Sequence, residues 1–384
     1  MKIRIEPWGA WVRSDDPPAL VALDREGALT LGIDGGAAWG SARSGRSPPL
    51  EVHLAVTGRC GAGCEGCYLD ARPDGPEPGR DELLGILDAL ALAGVFTVAF
   101  GGGEPTTRDD LDLLAEAARA RGLTPVVTTS GLGLGPRKLA KLRGFAQVNV
   151  SYDGDSPSYS SVRGFDGAAE AEQAISALAA EGIPVGVNVV LTRATFPHLE
   201  ATLERAAQLG AREAQLLRYK PAGRATGLDY LARRLTRTQA ESLGPTLRRL
   251  SARHGDRPGL RIDCALVPFL SADPDIMARA GDLVRLGVFG CEAGRSLAAV
   301  DTSGKVAPCS FSRSTSLSFE DFSGGADDPV LSSFLSYPDA PEAPCSSCAL
   351  AQACRGGCKI VAGHLGAAGP DPECPRVLEF RERP

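Results

Sequence analysis

Between Glu51 and Arg218 the sequence alternates short apolar runs with longer, alanine- and leucine-rich amphipathic segments, and this alternation narrows the fold more than any other feature. The runs predict strands at Val52–Thr57, Phe96–Phe100, Pro125–Thr129, Gln147–Ser151, Val185–Leu191 and Glu213–Arg218. The segments between them predict helices at Asp81–Leu92, Asp109–Arg121, Arg137–Leu142, Ala168–Ala180 and Pro197–Leu209. Strand–helix repeats of this length build a parallel sheet. Six units fall short of the eight that close a (β/α) barrel, so the expected fold is α/β, a partial (β/α)6 TIM-like barrel. Such sheets bind ligands beyond the carboxyl ends of their strands, so the loops after these strands are where chemistry is expected.

The flanks differ in character. Residues 1–50 mix β-like runs at Lys2–Ile5 and Leu20–Leu23 with turn signals and a Gly/Ser/Pro-rich stretch at Gly40–Pro49, as a β-hairpin extension and linker would. After the last strand an Arg-rich helical stretch runs from Leu235 to His254, and beyond it regularity gives way to glycine, proline, serine and eight of the eleven cysteines. The division expected is therefore 1–50, 51–254 and 255–384. Metal–thiolate bonds in place of a large apolar core would account for the weak regularity of the last part.

The 41 basic and 47 acidic residues leave a net charge of −6 with no long block of either sign, which argues against a nucleic-acid or anionic-membrane surface. No apolar run approaches the roughly 20 residues of a membrane-spanning helix, and Met1–Trp11 lacks the apolar core of a signal peptide. A cytoplasmic location is expected. In a reducing compartment eleven clustered cysteines read as metal ligands or redox groups, and an odd number disfavours complete disulfide pairing.

Directly after the first strand stands Cys60-Gly-Ala-Gly-Cys64-Glu-Gly-Cys67-Tyr68, whose glycines let a loop curl around a bulky ligand. A cubane [4Fe–4S] cluster takes four thiolates, so a loop with three leaves one iron open to another ligand. A zinc site with a borrowed fourth ligand, or a redox pair at Cys64 and Cys67, are the competing readings. After the second strand comes Gly101-Gly102-Gly103-Glu104-Pro105, where glycines permit close backbone approach and a carboxylate suits an ammonium group. After the fourth come Ser151-Tyr152-Asp153-Gly154 and Arg163-Gly164, and a guanidinium suits a carboxylate. The C-terminal part carries Cys291, Gly304, Cys309, Cys345, Cys348, Cys354, Cys358 and Cys374, with Cys264 upstream. Seven or eight thiolates supply two cubane clusters. Two structural zinc sites are the alternative.

These motifs resemble the radical S-adenosylmethionine (SAM) family with a C-terminal SPASM domain, over about Val52 to Pro375. The resemblance implies a [4Fe–4S] cluster on Cys60, Cys64 and Cys67, with SAM at the open iron. Reductive cleavage of SAM then yields a 5′-deoxyadenosyl radical that removes a hydrogen atom from the substrate. It further implies that Gly102, Gly103 and Glu104 hold the SAM amino group, that Ser151 and Arg163 hold its carboxylate, and that Asn188 and the backbone beside Tyr68 meet ribose and adenine. Thr129-Ser130-Gly131 stands where many relatives have T-N-G. Two auxiliary [4Fe–4S] clusters are implied, one on Cys345, Cys348, Cys354 and Cys374. The other would sit on Cys291, Cys309 and Cys358, with Cys264, an open iron or an external ligand completing it.

Members of that family mostly modify ribosomally made peptides by thioether or carbon–carbon crosslinking, oxidation or epimerisation, and this is the expected function. Implied partners are a precursor peptide and a flavodoxin- or ferredoxin-type electron donor; residues 1–50 look too short and too glycine-rich for a leader-gripping domain, so leader recognition would use a separate leader-peptide-binding protein or the barrel face. Other enzyme readings are a small-molecule radical SAM enzyme of cofactor or porphyrin biosynthesis and a sulfatase-maturing enzyme. In the latter an aspartate follows the cysteine equivalent to Cys309, where this chain has Ser310, with Asp301 as a substitute base. A non-catalytic iron–sulfur or zinc protein is the last alternative. The cations of Arg218-Tyr-Lys-Pro-Ala-Gly-Arg224 would either meet an acidic peptide or SAM, or form a solvated basic loop.

Overall fold

The computed structural model describes residues 1–15, 18–39, 47–255, 257–285, 287–337 and 341–382. Part of the expected linker at Gly40–Pro49 lies outside the described residues. The N-terminal segment forms a three-stranded antiparallel sheet of β1 (Lys2–Glu6), β2 (Gly9–Asp15) and β3 (Pro18–Asp24), followed by helix α1 (Arg25–Thr30). It has one strand more than the expected hairpin, because β2 continues directly from the tight turn after Glu6. The sheet docks through long cations onto loop carbonyls. Lys2 Nζ donates to the Val95 carbonyl at 2.7 Å, and Arg13 reaches the Gly122 carbonyl at 3.1 Å. Both acceptors precede barrel strands, so this sheet covers the end opposite the strands' carboxyl ends.

The main body is a nine-stranded sheet. Six parallel strands run in chain order: β4 (Glu51–Thr57), β5 (Thr97–Gly102), β6 (Thr124–Thr129), β7 (Gln147–Ser151), β8 (Val185–Leu191) and β9 (Glu213–Arg218). The crossovers carry α2 (Arg80–Ala93), α3 (Leu111–Ala120), α4 (Pro136–Lys141), α5 (Ser156–Arg163), α6 (Ala168–Ala180) and α7 (Leu199–Gln208). Each strand and helix expected between Glu51 and Arg218 is present within a few residues of its expected bounds. Helix α5 was not expected. Asp155 caps it, with Ser158 N donating to its side chain at 3.1 Å, and Gly164 ends it at a left-handed φ of 83°. The stretch Leu235–His254 is two helices, Arg237–Glu241 and Leu243–His254.

Strand alternation sorts the two faces of the sheet. On β4, Val52, Leu54 and Val56 are buried in the core that includes Leu83, Leu87 and Leu90 of α2, whereas Glu51, His53 and Ala55 point to the inner face. Gln147, Asn149 and Ser151 of β7 follow the same inward pattern, opposite Val148 and Val150. One face is thus a conventional apolar core, and the other a polar interior suited to ligands.

The chain beyond Gly255 closes both edges of this six-stranded unit. Strand β10 (Gly259–Ile262) pairs parallel with β9. Strand β11 (Leu297–Val300) pairs parallel with β4 and carries the short antiparallel β12 (Val306–Ala307). Pairing removes the exposed ladder edges that invite aggregation. Leu266, Phe269, Val300, Val306, Phe319, Phe322 and Leu331 join the barrel core, so the cysteine-rich part shares apolar packing with the barrel. No helix of the described residues is long and apolar enough to cross a membrane.

Candidate active site

The loop carrying Cys60, Cys64 and Cys67 leaves the carboxyl end of β4 and is anchored at several points. Cys60 N donates to the Arg72 carbonyl at 2.8 Å, and Glu65 N donates to the Arg163 carbonyl at 2.9 Å. Arg224 holds the middle, donating to the Cys64 carbonyl at 2.9 Å, the Ala71 carbonyl at 2.8 Å and Asp70 Oδ1 at 2.9 Å. Arg224 therefore belongs to the architecture of the loop and is not a solvated cation. All three thiols lie within electrostatic reach of one another, and burial raises the pKa of Cys60 and Cys64.

The glycines of the second motif are explained by the same loop. Gly103 N donates to the Thr57 carbonyl at 2.6 Å and Glu104 N to the Arg59 carbonyl at 2.8 Å. A Cβ on Gly102 would lie 2.2 Å from the Thr57 oxygen, and one on Gly103 would lie 2.1 Å from the Arg59 oxygen. Only glycine allows the two loops to approach this closely. The buried Glu104 carboxylate accepts from Thr106 N and Oγ1, from Thr129 Oγ1 at 2.7 Å, and from Ser130 N and Oγ at 2.8 and 2.7 Å. Ser130, which replaces asparagine in the resemblance, thus organises the acid.

From β7, Asp153 is fully buried and accepts from Val190 N at 2.8 Å. Its second oxygen pairs with Arg163 Nε at 2.7 Å. The Arg163 guanidinium also lies beside the Cys64 thiol, so one cation stands between a strand-end carboxylate and the cysteine loop. Burial opposes its charge, but Asp153 and Cys64 overcome that and raise its pKa. Ser151 is the register partner of Asn188, and both face the interior. Asn188 Oδ1 is buried and has no hydrogen-bond partner. A bare buried acceptor costs about 1–3 kcal/mol, which a ligand donor would recover. Tyr68, 37% exposed, stacks its ring on Phe311 with centroids 4.6 Å apart.

The C-terminal cysteines gather in two groups. Cys345, Cys348, Cys354 and Cys374 line one pocket enclosing about 350 Å³, part of it open to solvent. Cys264, Cys291, Cys309 and Cys358 form the other. Cys264 lies within electrostatic reach of Cys291 and Cys358, and Cys309 of the same two. Burial pushes the Cys358 thiol up to about 11 and raises Cys264 as well. The structure therefore places Cys264 with the three cysteines that were one ligand short. Among the described residues no three His, Cys, Asp or Glu side chains converge tightly enough to share a single metal ion.

Two buried cations of β9 and the turn after it lock this part to the barrel. Arg218 pairs with Asp371 at 2.5 Å and Glu373 at 2.6 Å, and Tyr230 donates to Glu373 at 2.6 Å. Asp371 also accepts from Cys358 N at 3.1 Å. Lys220 pairs with Asp263 and stands 4.2 Å from the Phe311 ring centroid. Both readings of the Arg218–Arg224 stretch, as a peptide- or SAM-facing surface and as a solvated loop, are corrected here: its cations are internal ties. Their acidic partners lie far along the chain, so no local signal announces them. Asp301 accepts from Ser303 N and Lys305 N within its own turn and from Ser314 Oγ further along the chain, so it is not a free base. Ser310 contacts His53, a residue that local motifs did not single out.

Residues 54–206 match the model of the radical SAM superfamily. The chain is 30% identical over 341 residues to the PqqA peptide cyclase of Rhodopseudomonas palustris, covering 85% of this chain and 86% of the relative. It is 29% identical over 343 residues to the mycofactocin maturase MftC of Mycobacterium tuberculosis, covering 86% and 84%. The structure of Streptococcus suis SuiB bound to its precursor peptide SuiA superposes with a TM-score of 0.74 at 17% identity, covering 97% of this chain and 98% of that one.

Proposed function

Because the chain belongs to the radical SAM superfamily, whose members bind a [4Fe–4S] cluster and SAM, we propose that it is a peptide maturase that modifies a ribosomally made precursor. The residues fit that cofactor pair. Cys60, Cys64 and Cys67 supply three thiolates and leave one coordination position, and Arg163 beside Cys64 offers a cation for a carboxylate. Ser151 and the unpartnered Asn188 Oδ1 face the same interior, and the backbone of Gly102 and Gly103 lies against the loop. When bound, SAM and its cluster supply a 5′-deoxyadenosyl radical; the protein's part is to bind, orient and shield. The orphaned Asn188 acceptor is the observation that carries this reading, because a buried acceptor without a donor is otherwise pure cost.

Residues 51–254 then form the radical SAM barrel and 255–384 a SPASM module with two auxiliary [4Fe–4S] clusters. Cys345, Cys348, Cys354 and Cys374 hold one, and Cys264, Cys291, Cys309 and Cys358 the other. Four thiols lining one pocket supply the four thiolates that a cubane cluster takes, which supports this assignment. Peptide maturation is supported by the relatives, named as a PqqA peptide cyclase and a mycofactocin maturase, and by SuiB, seen with its precursor peptide. The reading includes a cytoplasmic location, a flavodoxin- or ferredoxin-type electron donor and a separate leader-binding protein.

Co-expression with candidate small peptides from the neighbourhood of the gene, followed by mass spectrometry, tests it. A two-dalton loss marks crosslinking or oxidation, and an unchanged mass with altered stereochemistry marks epimerisation. A peptide unchanged in both respects, while the enzyme still forms deoxyadenosine, would reject peptide maturation.

A further inference from the structure

Four side chains stand in one register row across neighbouring strands: Ser151 on β7, Asn188 on β8, Gln215 on β9 and Arg261 on β10. Their direction follows from alternation. Ala214 and Leu216 of β9 lie in the apolar core, and Leu260 and Ile262 of β10 pack against it, so Gln215 and Arg261 project to the opposite, interior face. Arg261 is also within electrostatic reach of Glu51 on β4, across the barrel. Ser151 and Asn188 belong to the proposed SAM site; Gln215 and Arg261 continue the same row beyond it.

The far end of the row is a supported cation. Gln147 Nε2 donates to Asn149 Oδ1 at 2.8 Å and to Glu213 Oε1 at 3.1 Å, and Glu213 Oε2 stands 3.5 Å from Arg261 Nη1. Gly186 lies in register between Asn149 and Glu213. A Cβ there would come within 2.4 Å of Asn149 Oδ1 and 2.8 Å of Gln147 Nε2, so glycine leaves the space that these amides fill. The charges of the interior are unequally answered. Glu51 is bonded to His53 Nε2 at 2.8 Å and Glu213 to Gln147. Arg261 has one long contact, to Glu213, among the described residues, and its side chain is 63% exposed, against 24% for Glu213 and 41% for Glu51. The group with most room for a partner is therefore the guanidinium, whose remaining nitrogens form a planar fork that suits a carboxylate.

Neighbouring strands lie about 4.8 Å apart, so Arg261 stands at most about 10 Å along the row from Asn188. That is the length of about three extended residues. Building on the peptide-maturation reading, we propose that Arg261 and Gln215 bind a carboxylate of the substrate peptide, on an Asp or Glu side chain or at its C-terminus, within about three residues of the one that is modified. Arg261 supplies the charge, and Gln215, in register beside it, supplies an amide donor to the same group. A peptide held there presents the neighbouring residue to the SAM end of the row. This contact exists before and during the reaction, so its loss is read in KM and not in kcat.

The test follows initial rates with reconstituted enzyme, SAM, dithionite and synthetic copies of whichever candidate small peptide from the neighbourhood of the gene is modified. Fragmentation by mass spectrometry locates the modified residue. Each Asp or Glu within about three residues of it is replaced by Asn or Gln, and a further copy carries an amidated C-terminus. One of these copies is expected to raise KM about 10- to 100-fold with kcat held within about threefold, and Arg261→Gln to do the same with the unaltered peptide. The two changes together should raise KM no further than either alone. Which copy responds separates a side-chain carboxylate from the C-terminal one. A KM within about twofold for every copy on the wild-type enzyme overturns the proposal, whether or not Arg261→Gln folds, and so does a combined effect equal to the product of the two. If no candidate peptide is modified while the wild-type enzyme forms deoxyadenosine, the peptide-maturation reading itself fails, and the carboxylate site falls with it before any KM is compared.

Discussion

If Asn188 meets SAM as proposed, this single side chain carries the cost of the site before any ligand arrives. Its Oδ1 is buried without a donor, so replacing it with an apolar group removes a penalty as well as a contact. Asn188→Val is expected to stabilise the ligand-free chain by about 1 kcal/mol and to weaken SAM binding by about 2- to 10-fold. Thermal melts and calorimetric titration of SAM into anaerobically reconstituted protein check the two signs; a destabilised variant with unaltered SAM affinity would show that Asn188 is only a packing residue. At this scale the sequence was most legible where ligands are local. Cys60, Cys64, Cys67 and the glycines at 102 and 103 are joined by short loops, and their spacing alone singles them out. Ser130 was less legible, because its service to Glu104 depends on two separate strand ends meeting.

Among the elements, β9 and the turn after it had the least predictable role. Arg218 ends a strand that was expected within its observed bounds, yet its partners Asp371 and Glu373 come from the far end of the chain. Arg218→Met removes the cation and leaves the buried Asp371 without a counter-ion, while Glu373 keeps Arg234. Breaking such a pair costs about 3–5 kcal/mol. The urea midpoint is expected to fall accordingly, and a midpoint equal to that of wild type would show that the network is energetically idle. Other elements escaped prediction for simpler reasons. Helix α5 is short and serine-rich, so propensity argued against it even though Pro157 and Gly164 mark its ends. The second strand of the N-terminal sheet mixes tryptophan with charge and follows a glycine turn, which blurs its alternation. The barrel strands, by contrast, each present a buried apolar face and were read to within a few residues.

Over the whole molecule, the strand order sets one thiol loop after the first barrel strand, and four further thiols line a pocket within the C-terminal part that packs against the barrel. The parallel core was legible because periodicity is local, whereas the edge pairing of β10 and β11 was not, since each joins a strand distant in sequence. The same is true of Cys264, whose neighbours come from three other segments. Full reconstitution is expected to give about 12 iron atoms per chain, from three clusters of four. Cys264→Ala should lower iron content while sparing SAM cleavage, and iron analysis beside a deoxyadenosine assay checks it; an unchanged iron count would remove Cys264 from the ligand set.

The claim on which the rest stands is that Cys60, Cys64 and Cys67 leave one iron free for SAM. Deoxyadenosine formation by anaerobically reconstituted protein under dithionite measures it most directly, comparing wild type with the variant in which all three are alanine. The wild-type chain is expected to cleave SAM and the triple variant to form none. Intact SAM with the wild-type protein, or equal deoxyadenosine from both, would contradict the account.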